Sequence, residues 1–208
     1  MRFININRLI VLTLIIALIL AAATTYAQGC IENISESVLR LHILANSNSE
    51  ADQSLKLKVR DRIIKETAHL FENCKNSANA QRVAEENKQL ILQIAEDEIH
   101  GQGFDYPVKI NIGDYPFPTR NYSGVWLPKG NYRAVRIEIG EATGQNWWCV
   151  MYPPLCFTDD TVKISASSDE KLRSSLGTEE YNLITQSDCG TVPIEIRFKI
   201  VEIFQNLF

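Results

Sequence analysis

Histidine is scarce in this chain, and its placement offers nothing to a metal ion. Only His42, His69 and His100 occur in 208 residues, none of them in an H-E-x-x-H pattern. The five cysteines lack the C-x2-4-C spacing of a structural zinc site, which sets zinc chemistry aside and leaves no metal or cofactor expected. A basic excess is missing too. Lys and Arg number 21 against 25 Asp and Glu, a net charge of −4, which removes the electrostatic basis of nonspecific nucleic-acid binding. Phosphate-binding loops, dinucleotide fingerprints and nucleophile elbows are absent, so no small-molecule substrate is expected. Nor is there an internal repeat.

Two local absences are more informative. The first 27 residues contain no acid, and their only bases are Arg2 and Arg8. Leu9 to Ala23 then runs without a charge, and Thr25-Tyr26-Ala27 places small residues where a signal peptidase would read them. Residues 1–27 are therefore read as a signal peptide or an uncleaved membrane anchor, 28–37 as a juxtamembrane linker, and 203–208 as a tail. Cys30 is read as an ordinary juxtamembrane cysteine, because Ala27-Gln28-Gly29 is a poor lipoprotein signal. The exported part holds one domain, 38–202, long enough to bury roughly 70% of its unfolded surface.

The second absence is of proline and aromatics. From Gln28 to Gly103 there is no proline and one aromatic, Phe71, whereas Phe104 to Phe157 holds eleven aromatics and six prolines. Helices followed by sheet explain this shift within one core. Val38 to Ala45 alternates, with Leu39, Leu41, Ile43 and Ala45 on the apolar side of a half-buried strand and Arg40 and His42 on its polar side. Ser49 is placed to cap a helix, with Asp52 three residues on. Leu55, Val59, Ile63 and Thr67 give that helix its apolar stripe, and a second amphipathic helix is expected through Val83, Leu90, Ile91 and Ile94 to about Gly101.

Period-two strands follow at 106–112, 135–139 and 147–152. The segment 114–131 reads as a long ordered loop, 165–176 as a short helix and 194–200 as a late strand. The fold class is α+β: two amphipathic helices packed on a largely antiparallel sheet.

Lys56, Lys58, Arg60 and Arg62 make both flanks of the first helix basic, suited to an acidic partner or to peripheral contact with an anionic membrane. Trp147 and Trp148 must point to opposite faces of their strand, so one is expected outside the core as a recognition residue. Cys149 and Cys156, separated by Pro153-Pro154, are candidates for a disulfide across a turn, with a pair of buried thiols as the other reading. A Cys–His nucleophilic pair would need Cys149 or Cys156 beside His42, and nothing in the spacing selects it. The residues favour an exported recognition domain over the alternative, an extracytoplasmic cell-envelope hydrolase or thiol enzyme.

Two stretches carry a resemblance. Residues 39–61, LRLHILANSNSEADQSLKLKVRD, and 130–157, GNYRAVRIEIGEATGQNWWCVMYPPLCF, resemble the stage II sporulation protein R family, and Glu195 to Glu202 also fits. Asn48 stands where many relatives are expected to carry aspartate. The resemblance implies an activator without catalytic residues of its own. Such a protein is made in the forespore and exported into the space between the forespore and mother-cell membranes. There it acts on a membrane-embedded aspartic protease, which processes the precursor of the early mother-cell sigma factor. On that reading the surface meeting the protease is formed by His42, Asn46, Ser47, Asp52, Lys56 and Lys58, together with Trp147 and Trp148.

Overall fold

The computed structural model describes residues 6–155 and 165–185. A helix, α1 (Ile6–Glu36), leads into strand β1 (Leu39–Leu44), followed by helices α2 (Glu50–Phe71), α3 (Ser77–Glu86) and α4 (Lys88–Gly101). Strands β2 (Val108–Phe117), β3 (Arg120–Tyr122), β4 (Val125–Leu127), β5 (Gly130–Ile139) and β6 (Asn146–Tyr152) come next, then helices α5 (Ala166–Ser175) and α6 (Thr178–Thr185). The main sheet has the order β2-β5-β1-β6, and β3 pairs only with β4. β1 runs parallel to β5, while the β2–β5 and β1–β6 pairs are antiparallel. The result is the expected α+β domain with a largely antiparallel sheet.

Helices cover both faces of that sheet. On one face Leu41, Ile43 and Ile137 meet Val59 and Ile63 of α2 and Ile91 and Ile94 of α4. On the other, Phe117, Tyr132 and Leu127 pack with Ile34 of α1, Leu172 of α5 and Ile184 of α6. All six residues of β1 are buried, so the strand is not half-buried as its alternation suggests. Arg40 and His42 do lie on the side opposite Leu41 and Ile43, but the second helical layer closes over them.

Other boundaries also move. The expected second helix is two helices, because Asn87 caps α3 with both its backbone N–H and its side chain on the Val83 carbonyl (3.0 and 2.8 Å). Leu90 is exposed just beyond that break. β2 does not end at Gly113-Asp114-Tyr115-Pro116 but pairs on to Phe117↔Gly130; proline is tolerated because β2 is a sheet edge. The expected loop 114–131 holds the β3–β4 hairpin. Ser123 and Gly124 both have positive φ (50° and 97°), as a two-residue hairpin turn requires, and Asn121 Oδ1 accepts from the Gly124 N–H at 2.8 Å.

Ser49 caps α2 as expected, accepting from the Asp52 N–H at 3.2 Å, and Ser165 caps α5 in the same way. Residues 28–36 of the expected linker form the last turns of α1, where Ile31 and Ile34 are buried. The expected strand at 194–200 lies outside the described residues.

Candidate functional site

The two most distinctive stretches of sequence fold against each other. After β1 the chain turns at Asn46, and that side chain has all its polar atoms in use: Nδ2 donates to Asp52 Oδ2 (2.9 Å) and Oδ1 accepts from the Glu141 N–H (3.0 Å). Its carbonyl accepts from both the N–H (3.2 Å) and the hydroxyl (2.8 Å) of Thr143. Ser47 donates to the same carboxylate at 2.5 Å, Gln53 Nε2 to the Ser47 carbonyl at 2.8 Å, and the Gln145 N–H to Asn48 Oδ1 at 2.8 Å.

The Ser47 hydroxyl, foremost, and the Asn46 amide hold the Asp52 carboxyl below its ordinary pKa despite its burial. An aspartate in place of Asn48 would present the same kind of acceptor to the Gln145 N–H, so the contact does not depend on the charge at this position. Gly140 and Gly144 are required by this closeness. A Cβ on the first, already at φ +59°, would collide with Asn46 Oδ1, and one on the second with the Ser47 carbonyl.

Trp147 and Trp148 do take opposite faces, and both are half-buried rather than one being exposed. The Arg60 guanidinium lies 4.2 Å from the Trp147 ring centroid. Trp148 stacks on His42 with centroids 3.9 Å apart and meets the Phe117 ring at 4.6 Å. His42 Nε2 donates to Asn146 Oδ1 at 2.9 Å, leaving Nδ1 buried without a hydrogen-bond partner among the described residues. Burial, above all, pushes the His42 pKa down to about 4, so the ring is neutral near pH 7.

Beside it Arg40 is fully buried. Its Nε donates to the Cys149 carbonyl (3.0 Å) and Nη2 to the Tyr122 hydroxyl (2.5 Å), while its charge lies over the rings of Phe117, Tyr132 and Tyr122. Arg40 Nη1 has no hydrogen-bond partner among the described residues.

Three of the eight residues read as partner-binding come together at an open site. Lys56, Trp147 and Trp148 line a cleft of about 470 Å³ between the first turns of α2, the start of β6 and the β3–β4 hairpin, with Gln53, Arg120 and Tyr122. Lys56 is nearly buried there; its Nζ donates to Gln53 Oε1 (2.6 Å) and the Gln145 carbonyl (3.0 Å), and burial lowers its pKa. Asn46, Ser47 and Asp52 stand behind this wall in the polar knot, His42 lies beneath Trp148, and exposed Lys58 donates instead to Gln102 Oε1 at 2.6 Å.

Lys56 and Arg60 both face inward, and Arg62 is bridged to Glu66 and Glu98, so the helix does not present two basic flanks. Arg120 and Tyr122 were not singled out in the sequence; the Ser123-Gly124 turn dipeptide is the signal that would have placed them on a hairpin. Cys149 is disulfide-bonded and so is no thiol nucleophile for His42, whereas Cys30 and Cys74 are free. Cys156 lies outside the described residues. Among the described residues no three His, Cys, Asp or Glu side chains gather where a metal ion would sit.

The polar knot and the cleft both fall within residues 35–162, which match the family profile described as stage II sporulation protein R. A Bacillus subtilis (strain 168) protein named stage II sporulation protein R is 36% identical, over 84% of this chain and 83% of that one. The chain belongs to the stage II sporulation protein R family. A role in sporulation follows from that membership. No solved structure matches the chain. The family match covers all of β1 to β6, so the interlocked motifs lie wholly inside the shared region.

Proposed function

We propose that this protein is the exported signal of a sporulating cell, passing from the forespore into the space between the forespore and mother-cell membranes. There residues 38–202 engage a membrane-embedded aspartic protease and activate it, and the protease cuts the precursor of the early mother-cell sigma factor. The protein contributes no catalytic group. Family membership over residues 35–162 carries this reading. An apolar helix long enough to cross a membrane, running directly into the domain, supports passage or anchoring at a bilayer.

Docking is assigned to the cleft at Trp147, Trp148 and Arg120, because Asn46, Ser47 and Asp52 are spent on internal bonds. The test is reconstitution. Full-length protein, the membrane protease and the sigma-factor precursor are combined in liposomes, and precursor cleavage is followed by gel shift. Cleavage that depends on the added protein supports an activator. Precursor left uncut, with a protease shown competent by other means, overturns it.

A further inference from the structure

The cleft has a chemistry at odds with the rest of the molecule. The chain as a whole carries more acid than base, yet the charged side chains lining the cleft are Lys56 and Arg120, with no carboxylate among the described lining residues. A third cation sits behind its wall. Arg40 donates to Tyr122 and to the Cys149 carbonyl, both of which line the cleft, and Arg120 is close enough to disfavour its charge further. Among the described residues no carboxylate forms an ion pair with Arg40, whose Nη1 is buried with no hydrogen-bond partner among them.

The donors are similarly in surplus. Trp147 Nε1, a donor only, is buried without an acceptor among the described residues, and Lys56 Nζ has two of its three protons placed. A buried cation without an anion is costly, so a carboxylate entering the cleft gains from the nearby charge of Arg40 as well as from Lys56. Tyr122, Trp147 and Trp148 give the cleft aromatic surface beside these cations, the combination found where proteins recognise other proteins.

We propose that this cleft takes an acidic peptide segment of a protein partner, with Arg120 and Lys56 holding its side-chain carboxylates. The proposal rests on reading the cleft as the docking surface, and it adds the chemistry of what docks there. Arg120, exposed on the hairpin, makes the first contact. Lys56 and the field of Arg40 favour the charge once it is inside, where water screens less.

The test uses the full chain in phosphatidylcholine nanodiscs, panned against displayed random dodecamer peptides. Asp and Glu are expected to be enriched in the peptides recovered. Those peptides should shift the tryptophan fluorescence, and should bind about tenfold or more weakly when their acids become Asn and Gln, or when the chain carries Arg120→Ser. Arg120→Glu should abolish binding while near-ultraviolet circular dichroism stays unchanged.

Recovered peptides without acidic bias, or affinity indifferent to Arg120→Ser, would overturn the proposal. So would quenching of the cleft tryptophans by brominated phosphatidylglycerol in place of peptide binding, which would assign the cleft to anionic lipid. Precursor cleavage separates this from the wider reading. Cleavage lost in Arg120→Glu without acidic enrichment rejects the acidic segment and keeps the docking surface. Acidic enrichment without precursor cleavage supports the segment and rejects the protease as its owner.

Discussion

Asn46 shows how a residue typical of a recognition motif can serve the fold instead. Its side chain ties the turn after β1 to the start of α2 and to the segment before β6, and Gly140 and Gly144 let those backbones approach. Gly144→Ala forces a Cβ onto the Ser47 carbonyl, which backbone cannot easily yield, so a stability loss of about 1–3 kcal/mol is expected in urea unfolding. An unchanged midpoint would mean the two segments do not touch.

His42 makes a second prediction, in pH. Folded, its pKa is about 4, against 6.5 for an ordinary histidine; burial disfavours its charge most, Arg136 on β5 and Arg40 on its own strand add to that, and the Asn146 hydrogen bond and Glu138 on β5 oppose it. The unfolded chain therefore binds the extra proton between those values. Stability from this group is full above about pH 6.5 and is lost as pH falls toward 4, by on the order of 3 kcal/mol. His42→Gln should flatten the curve of unfolding free energy across that window. A wild-type curve already flat there would refute a buried neutral imidazole.

Among the elements, α1 has two characters. Leu9 to Leu20 present exposed apolar side chains, whereas Ile31 and Ile34 are buried against the body, and Tyr26 and Asn33 hydrogen-bond Glu179 and Glu180 of α6. Removal of residues 1–27 leaves both buried isoleucines in place, while removal of 1–37 opens the second core. Fragments 28–208 and 38–208 are therefore expected to differ in unfolding free energy by on the order of 4 kcal/mol, the worth of two buried isoleucines. Equal stability would return 28–37 to the status of a linker.

The elements differ in how legible they are from sequence. α2 could be read because its cap and its stripe at Leu55, Val59 and Ile63 agree. The break at Asn87 could not, since the apolar positions keep the helical period across it and the interruption is a local cap on the Val83 carbonyl. The length of β2 was hidden by Pro116, whose meaning depends on the strand being at the edge, a fact of topology rather than of local sequence. The site was half legible: the tryptophans mark it, but Arg120 and Tyr122 reach it only through a hairpin that Pro and Gly disguised as loop.

At the scale of the molecule, β1 is the shared element. Leu41 and Ile43 belong to the core under α2 and α4, while Arg40 and His42 reach the aromatic side chains of the opposite layer. Neither layer can separate without exposing one side of a strand that is buried throughout. The two cores should therefore melt as one unit, with far-ultraviolet circular dichroism and the fluorescence of Trp126, Trp147 and Trp148 giving coincident urea transitions. Leu41→Ala, on the first core, and Leu172→Ala, on the second, should each move both signals together, by about 2–5 kcal/mol. Two separable transitions, each sensitive to one substitution, would break this picture and make the α5–α6 layer an appendage. Coincidence would make the cleft part of a single cooperative block. Its donors and cations would then be held in place before any partner arrives, and binding would not have to order them.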